Sequence, residues 1–170
     1  MTPLPAILAP GARVVAWRLD AQVHSATWDS GIGAELMGGR WNPKGMRAVY
    51  CSFDPSTTIL ESAVHRGFDV LDTRPFVLTS ITVLDLAAVS VVLPGDVPNP
   101  AWLHAGIPSR GQQAWGASLL DAHGFVAFPS VVSKFSWNIV FRPERASGKY
   151  SVLGQDRLVL DGRLNPPISE

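Results

Sequence analysis

A chain of 170 residues suffices for one domain that buries about 70% of its unfolded surface without cross-links. Its 46% hydrophobic and 16% charged residues suit a packed globule and argue against disorder. Lys+Arg and Asp+Glu total 14 each, so the basic excess typical of proteins that neutralise nucleic-acid phosphates is missing.

The single cysteine, Cys51, rules out an internal disulfide and suits a reducing cytosol. The stretch from Leu4 to Pro10 is apolar, but prolines interrupt it and no basic segment precedes it, so it reads poorly as a signal peptide. No run approaches the ~20 apolar residues of a membrane span. The expectation is one soluble, cytoplasmic domain over residues 1–170, with no membrane contact and no direct nucleic-acid contact.

In chain order, residues 12–19 read as a first strand with Arg18 near its end. Residues 20–47 are loop-rich and hold five glycines. Ala48 to Ser52 form a short strand carrying Tyr50. Asp54-Pro55 starts a helix, with Asp as cap and Pro in the first turn. On it Leu60, Ala63 and Val64 form the apolar face, and Glu61 falls at the flank. Residues 76–83 form a β-branched strand, and 94–108, rich in proline, are irregular. Ser109 precedes a helix near 111–122, stopped by Gly124. Gly124 to Phe128 reads as a buried strand ending at Pro129-Ser130. From Trp137 to Arg142 the pattern alternates, with Asn138 and Val140 on one face and Ile139 and Phe141 on the other. Tyr150–Leu153 and Arg157–Leu160 read as a closing hairpin or an edge pair. Many short strands and a few helices without regular β-α alternation predict an α+β fold with mixed short-stranded sheets.

Chemistry concentrates between Gly38 and Glu61. Gly38-Gly39-Arg40-Trp41-Asn42-Pro43, with Gly45 after it, makes a sharply turning backbone that admits a ligand closely and carries a planar cation, a ring and an amide. Arg18 and Arg40 suit phosphate oxygens, and the Tyr50 ring suits a flat heterocycle, so the set points to a nucleotide. Glu61, without a second acidic partner in the motif, suits stabilisation of a sugar cation as a base departs from the anomeric carbon. Together they point to cleavage of a nicotinamide–ribose bond. Ser130 would hydrogen-bond the ligand or Glu61. Trp41 lines the pocket or anchors its loop, and Asn42 supports it. The four histidines show no metal-ligand spacing, so no metal and no prosthetic group are expected.

The runs Gly33-Ala34, Gly38 to Asn42, Gly45, Val49 to Ser52 and Leu60-Glu61 resemble the signature of the RES-domain toxin family. Trp115-Gly116, Val126 to Ser130, Asn138 and Leu160 to Leu164 agree with it, and the resemblance covers about residues 18–164. It implies a fold similar to that of ADP-ribosyltransferases and the toxin half of a bacterial toxin–antitoxin pair. The implied partner is an Xre-like antitoxin that covers the active site. The implied activity is NAD+ consumption by glycohydrolase- or phosphorylase-type cleavage, or transfer of ADP-ribose to a protein. Carried over, Arg18 matches the first-strand arginine, Arg40 that of the GGRWN motif, Tyr50 the strand tyrosine, Glu61 the helix glutamate and Ser130 the late serine; Asn138 has a supporting role.

The chain departs from the family in having Phe128 before Pro-Ser, and Arg142-Pro143-Glu144-Arg145 where a histidine is common. The first leaves the core intact, and the second removes any role for a C-terminal histidine. Water, phosphate or a protein side chain remain open as acceptors. A ribonuclease-type toxin and a non-catalytic interaction module are the more distant alternatives.

Overall fold

The computed structural model describes residues 13–104, 106 and 108–165, so the apolar N-terminal stretch lies outside the described residues. The chain runs β1 (Val15–Ala21), α1 (Ile32–Met37), β2 (Val49–Ser52), α2 (Pro55–Arg66), α3 (Phe68–Thr73), β3 (Phe76–Val83), β4 (Val89–Val91), α4 (Arg110–Ala122), β5 (Phe125–Pro129), β6 (Trp137–Phe141), α5 (Pro143–Ala146) and β7 (Tyr150–Arg157). All seven strands join one sheet in the order β4-β5-β6-β2-β1-β3-β7. β4 and β5 pair in parallel and every other pairing is antiparallel, which is the α+β class expected from the sequence.

Alternation along the strands sorts the apolar residues into two cores, one on each face. Ala16, Cys51, Ile81, Phe125, Ile139 and Phe141 pack with Trp28. Val126, Phe128 and Val140 pack with Trp41, Trp102 and Leu120. Fully burying each of these large side chains contributes about 1.5–3 kcal/mol, so the two-sided sheet dominates stability. A third cluster, Leu19, Ala63, Leu71 and Phe76, joins β1 to α2 and α3.

Two sequence readings change here. Of the apolar face expected on α2 only Ala63 is buried: Leu60 is 36% and Val64 62% exposed, while Thr57 and Thr58 are buried beside Ala63. The cause is polar. Asp54 caps the helix by accepting from Thr57 N at 2.7 Å, and Thr58 Oγ1 donates to Trp17 O of β1 at 3.0 Å. The threonine edge therefore faces the sheet, and Glu61, one turn later, comes with it. The second change is at the C-terminal end, where no hairpin forms. Tyr150–Arg157 is one strand paired with β3, and the local irregularity is taken up by a register shift between Ser80 and Ile81. Gln155 Nε2 anchors it to Thr79 Oγ1 at 3.0 Å and Ser25 O at 2.9 Å.

At mid-sheet, β1 and β2 share one register pair, Trp17 with Ser52. β2 meanwhile pairs along its whole length with β6, placing Ser52 beside Asn138 and Tyr50 beside Val140. The functional side chains gather over this region.

Candidate active site

The glycine-rich loop is held by its own polar groups. Asn42 is fully buried, and its Nδ2 donates to the carbonyls of Ala34, Pro43 and Met46, each at 3.0 Å. Its Oδ1 accepts from the Tyr50 hydroxyl at 2.7 Å, and that hydroxyl in turn accepts from Trp41 N at 3.1 Å. Gly39 lies so close that an added Cβ would sit 2.4 Å from the Tyr50 hydroxyl, so only glycine fits. Burial pushes the Tyr50 phenol well above its ordinary pKa, which keeps it neutral and hydrogen-bonded.

α4 grips the same loop from behind. Ser109 caps it by accepting from Gln112 N. Gln113 Nε2 donates to Gly39 O at 2.8 Å, and Gln112 Nε2 to Arg40 O at 3.4 Å. Of the two roles expected for Trp41, the structure gives the anchor. Trp41 is 2% exposed and stacks on Phe128 with ring centroids 4.2 Å apart and planes 6° from parallel. The aromatic residue that departs from the family pattern therefore supplies the floor beneath the loop. Trp28 and Trp102 are likewise buried packing residues.

Arg40 emerges from this frame half-buried. One guanidinium nitrogen donates to Trp102 O at 2.7 Å. Burial holds its pKa below the ordinary arginine value, while Glu61 and Tyr50 lie near enough to offset part of that effect. Arg40 also borders a cavity of about 260 Å³ that Trp102, His104, Ser109 and Gln112 help to line.

Glu61 stands at the centre of a second polar group. Ser130 Oγ donates to Glu61 Oε1 at 2.8 Å, and Asn138 Nδ2 donates to the same oxygen at 2.6 Å. Ser130 is 1% exposed, and its oxygen accepts from Val132 N and Ser133 N, so the turn after β5 fixes it. Asn138 Oδ1 accepts from Ser52 Oγ at 2.7 Å. Three elements, α2, β6 and the end of β5, thus converge on one carboxylate.

Arg40, Tyr50, Glu61, Ser130, Asn42 and Asn138 are therefore brought together. Arg18 is engaged elsewhere. It donates to Tyr50 O at 3.0 Å and to Asp20 Oδ1 at 2.7 Å, and with Asp20 it acts on Cys51. By register parity with the Trp17–Ser52 pair, Arg18 shares the face of Cys51 rather than that of Ser52. It bridges β1 and β2 where their backbones part. Sequence reasoning missed Gln112 and Gln113, whose only signal is a polar pair just inside a serine-capped helix. It also missed Ser52 as a partner of Asn138. Among the described residues no group of three or more His, Cys, Asp or Glu side chains could hold a metal ion, and no helix is long and apolar enough to cross a membrane.

Known proteins resemble this chain over most of its length. A protein named Prs ADP-ribosylating toxin from Sphingobium sp. (strain YBL2) is 30% identical over 139 residues, covering 78% of this chain and 84% of the relative. A protein named Toxin Res from Yersinia enterocolitica serotype O:8 / biotype 1B is 49% identical over 125 residues, covering 72% and 79%. In fold, the chain is similar to one in the crystal structure of the M. tuberculosis MbcT–MbcA toxin–antitoxin complex, with a TM-score of 0.67, 20% identity and coverage of 86% and 85%. Residues 15–161 match the RES domain, and the chain belongs to that family.

Proposed function

We propose that this chain is the toxin of a toxin–antitoxin pair and that it cleaves the nicotinamide–ribose bond of NAD+. The observation that carries this reading is the pair of fixed donors at Glu61, one from the buried Ser130 and one from the half-buried Asn138. Two donors converge on Oε1, while the half-buried Arg40 lies near enough to feel the carboxylate's charge. A fixed negative charge beside the anomeric carbon stabilises the oxocarbenium-like transition state as nicotinamide leaves. Arg40 has spent one nitrogen on Trp102 O and offers the rest of its fork to the pyrophosphate. A cavity of about 260 Å³ adjoins Arg40, below the ~300–1,000 Å³ of pockets that take whole drug-sized ligands, so it would not by itself hold the dinucleotide. Tyr50, with its hydroxyl committed to the loop, flanks the site by its ring. Arg18 contributes by holding Tyr50 O and so the strand from which that ring projects.

Transfer of ADP-ribose to a protein is the second reading, favoured by the name of the Sphingobium relative. Both readings share bond cleavage at Glu61 and differ in the acceptor. The cognate antitoxin, of Xre type, would cover this cleft; the likeness to a chain in a toxin–antitoxin complex supports such a partner.

The test uses purified protein, NAD+ labelled in the adenylate half, and the Glu61→Gln variant. Free ADP-ribose or its 1-phosphate indicates degradation, and a labelled protein band indicates transfer. Glu61→Gln should fold normally and lose turnover at least a hundredfold, because the charge acts mainly in the transition state. Intact NAD+ with the wild type, or full activity in the variant, defeats the proposal.

A further inference from the structure

Ser52 is only 3% exposed and pairs in register with Asn138, so the simplest account is a serine satisfying its own hydrogen bond inside a sheet. The direction of the bonds says more. An ionised carboxylate only accepts, so the Asn138 group facing Glu61 Oε1 at 2.6 Å must be the NH2. Its carbonyl then faces Ser52, and Ser52 Oγ must donate to it, at 2.7 Å. On the other side, Ser130 Oγ already accepts from two backbone N–H groups, at 3.2 and 3.0 Å, which leaves its proton for Glu61. Every proton in the chain Ser52, Asn138, Glu61, Ser130 therefore has one direction. Both donors reach Oε1, and among the described residues no hydrogen bond engages Oε2.

We infer that Ser52 is a positioning residue for Glu61: by donating to Asn138 it fixes the amide with its NH2 toward Oε1, which sets the carboxylate plane and presents Oε2 to the ligand. The inference rests on the reading of Glu61 as the charge that stabilises the sugar cation. Without the Ser52 hydroxyl, the half-buried Asn138 carbonyl loses the donor it has in the structure, and the amide gains nothing by keeping its NH2 on Glu61. Turned over, it would set oxygen against oxygen and push the carboxylate from its place.

Ser52→Val and Ser52→Thr test this, because the two side chains have nearly the same shape and differ in a hydroxyl. The first readout is the kcat and KM for NAD+. Losing a neutral donor that orients a catalytic charge should lower kcat about tenfold or more in Ser52→Val, with KM within about twofold, and Ser52→Thr should restore most of the rate. The second readout is the Asn138 side-chain amide in the NMR spectrum of the free protein. In wild type and Ser52→Thr one amide proton should be shifted downfield and slow to exchange, as a short bond to a carboxylate requires; in Ser52→Val that signature should be lost. Equal kcat in the valine and threonine variants, or an unchanged Asn138 signature in Ser52→Val, overturns the inference. If Ser52→Val does not fold, Ser52→Ala takes its place against threonine. If wild type leaves NAD+ intact the proposed activity fails, and the Asn138 signal alone then decides the role of Ser52.

Discussion

Gly116 in α4 sets two physical rules against each other. Replacing an interior helix glycine by alanine ordinarily stabilises by about 1 kcal/mol. A Cβ at Gly116, however, would lie 2.4 Å from Trp41 O, 2.8 Å from Trp41 Cα and 2.9 Å from Trp41 C. These are backbone atoms, so no rotamer change relieves them, and either the helix or the loop must move. Overpacking of this kind costs about 1–3 kcal/mol. Displacing Trp41 also disturbs its stack on Phe128, a contact worth a further ~0.5–1.5 kcal/mol. Packing wins: Gly116→Ala should destabilise by about 2 kcal/mol, a fall in Tm of about 4–8 °C for a chain of this size. Gly111→Ala in the same helix is the control, since nothing lies within 4 Å of its Cβ position, and it should leave Tm level or raised. Thermal and urea unfolding measure both. A Gly116→Ala protein as stable as wild type would refute the claim that α4 and the loop meet backbone to backbone.

Tyr50→Phe removes the donor to Asn42 Oδ1 and the acceptor for Trp41 N, so stability should fall by about 1–3 kcal/mol by urea titration. The KM for NAD+ should rise as Arg40 loses its frame, and an unchanged midpoint would show that the loop is held otherwise. Arg18→Met leaves Asp20, 7% exposed, as a buried charge without its partner, and should cost about 3 kcal/mol; adding Asp20→Asn should recover part of the loss. No recovery in the double variant would mean that the pair is not what Arg18 stabilises. Burial pushes the Cys51 thiol from 9.0 up to about 12. Above pH ~9 the unfolded chain releases this proton while the folded chain keeps it, so stability falls with rising pH by up to about 1.4 kcal/mol per unit until the folded thiol ionises. Cys51→Ala should remove that share of the alkaline slope, and native Cys51 should resist thiol reagents at pH 8; rapid labelling of the folded protein would contradict the burial.

Local signals in the sequence were faithful where a residue's neighbours decide its state. The Asp54-Pro55 helix start, the Ser109 cap, the strand over 76–83 and the alternation through Asn138 and Val140 all stand in the structure. The glycine-rich turn drew attention to Arg40 and Tyr50 because such recognition chemistry seldom serves packing alone, but nothing in the spacing could bring Glu61 near them; that nearness depends on the fold. What could not be read depends on partners far along the chain. The orientation of α2 follows from Thr58 meeting Trp17 O, against the apolar count of its own sequence. Ser52 looked like a strand end until β6 laid Asn138 beside it, 86 positions away. Arg18 matched a phosphate-binding pattern by residue type, yet its position in the sheet engages it with Asp20 and a carbonyl.

The lone register pair between β1 and β2 has a consequence for how the protein responds to force or to an inhibitor. The midline of the sheet is a seam stitched by Trp17, Ser52 and one guanidinium, with three strands on one side and four on the other. Ser52 is both a stitch and a link in the chain that runs through Asn138 to Glu61, so strain across the seam bears on a residue bonded to the carboxylate's own partner. A binder that strains the seam would disturb Glu61 without touching it.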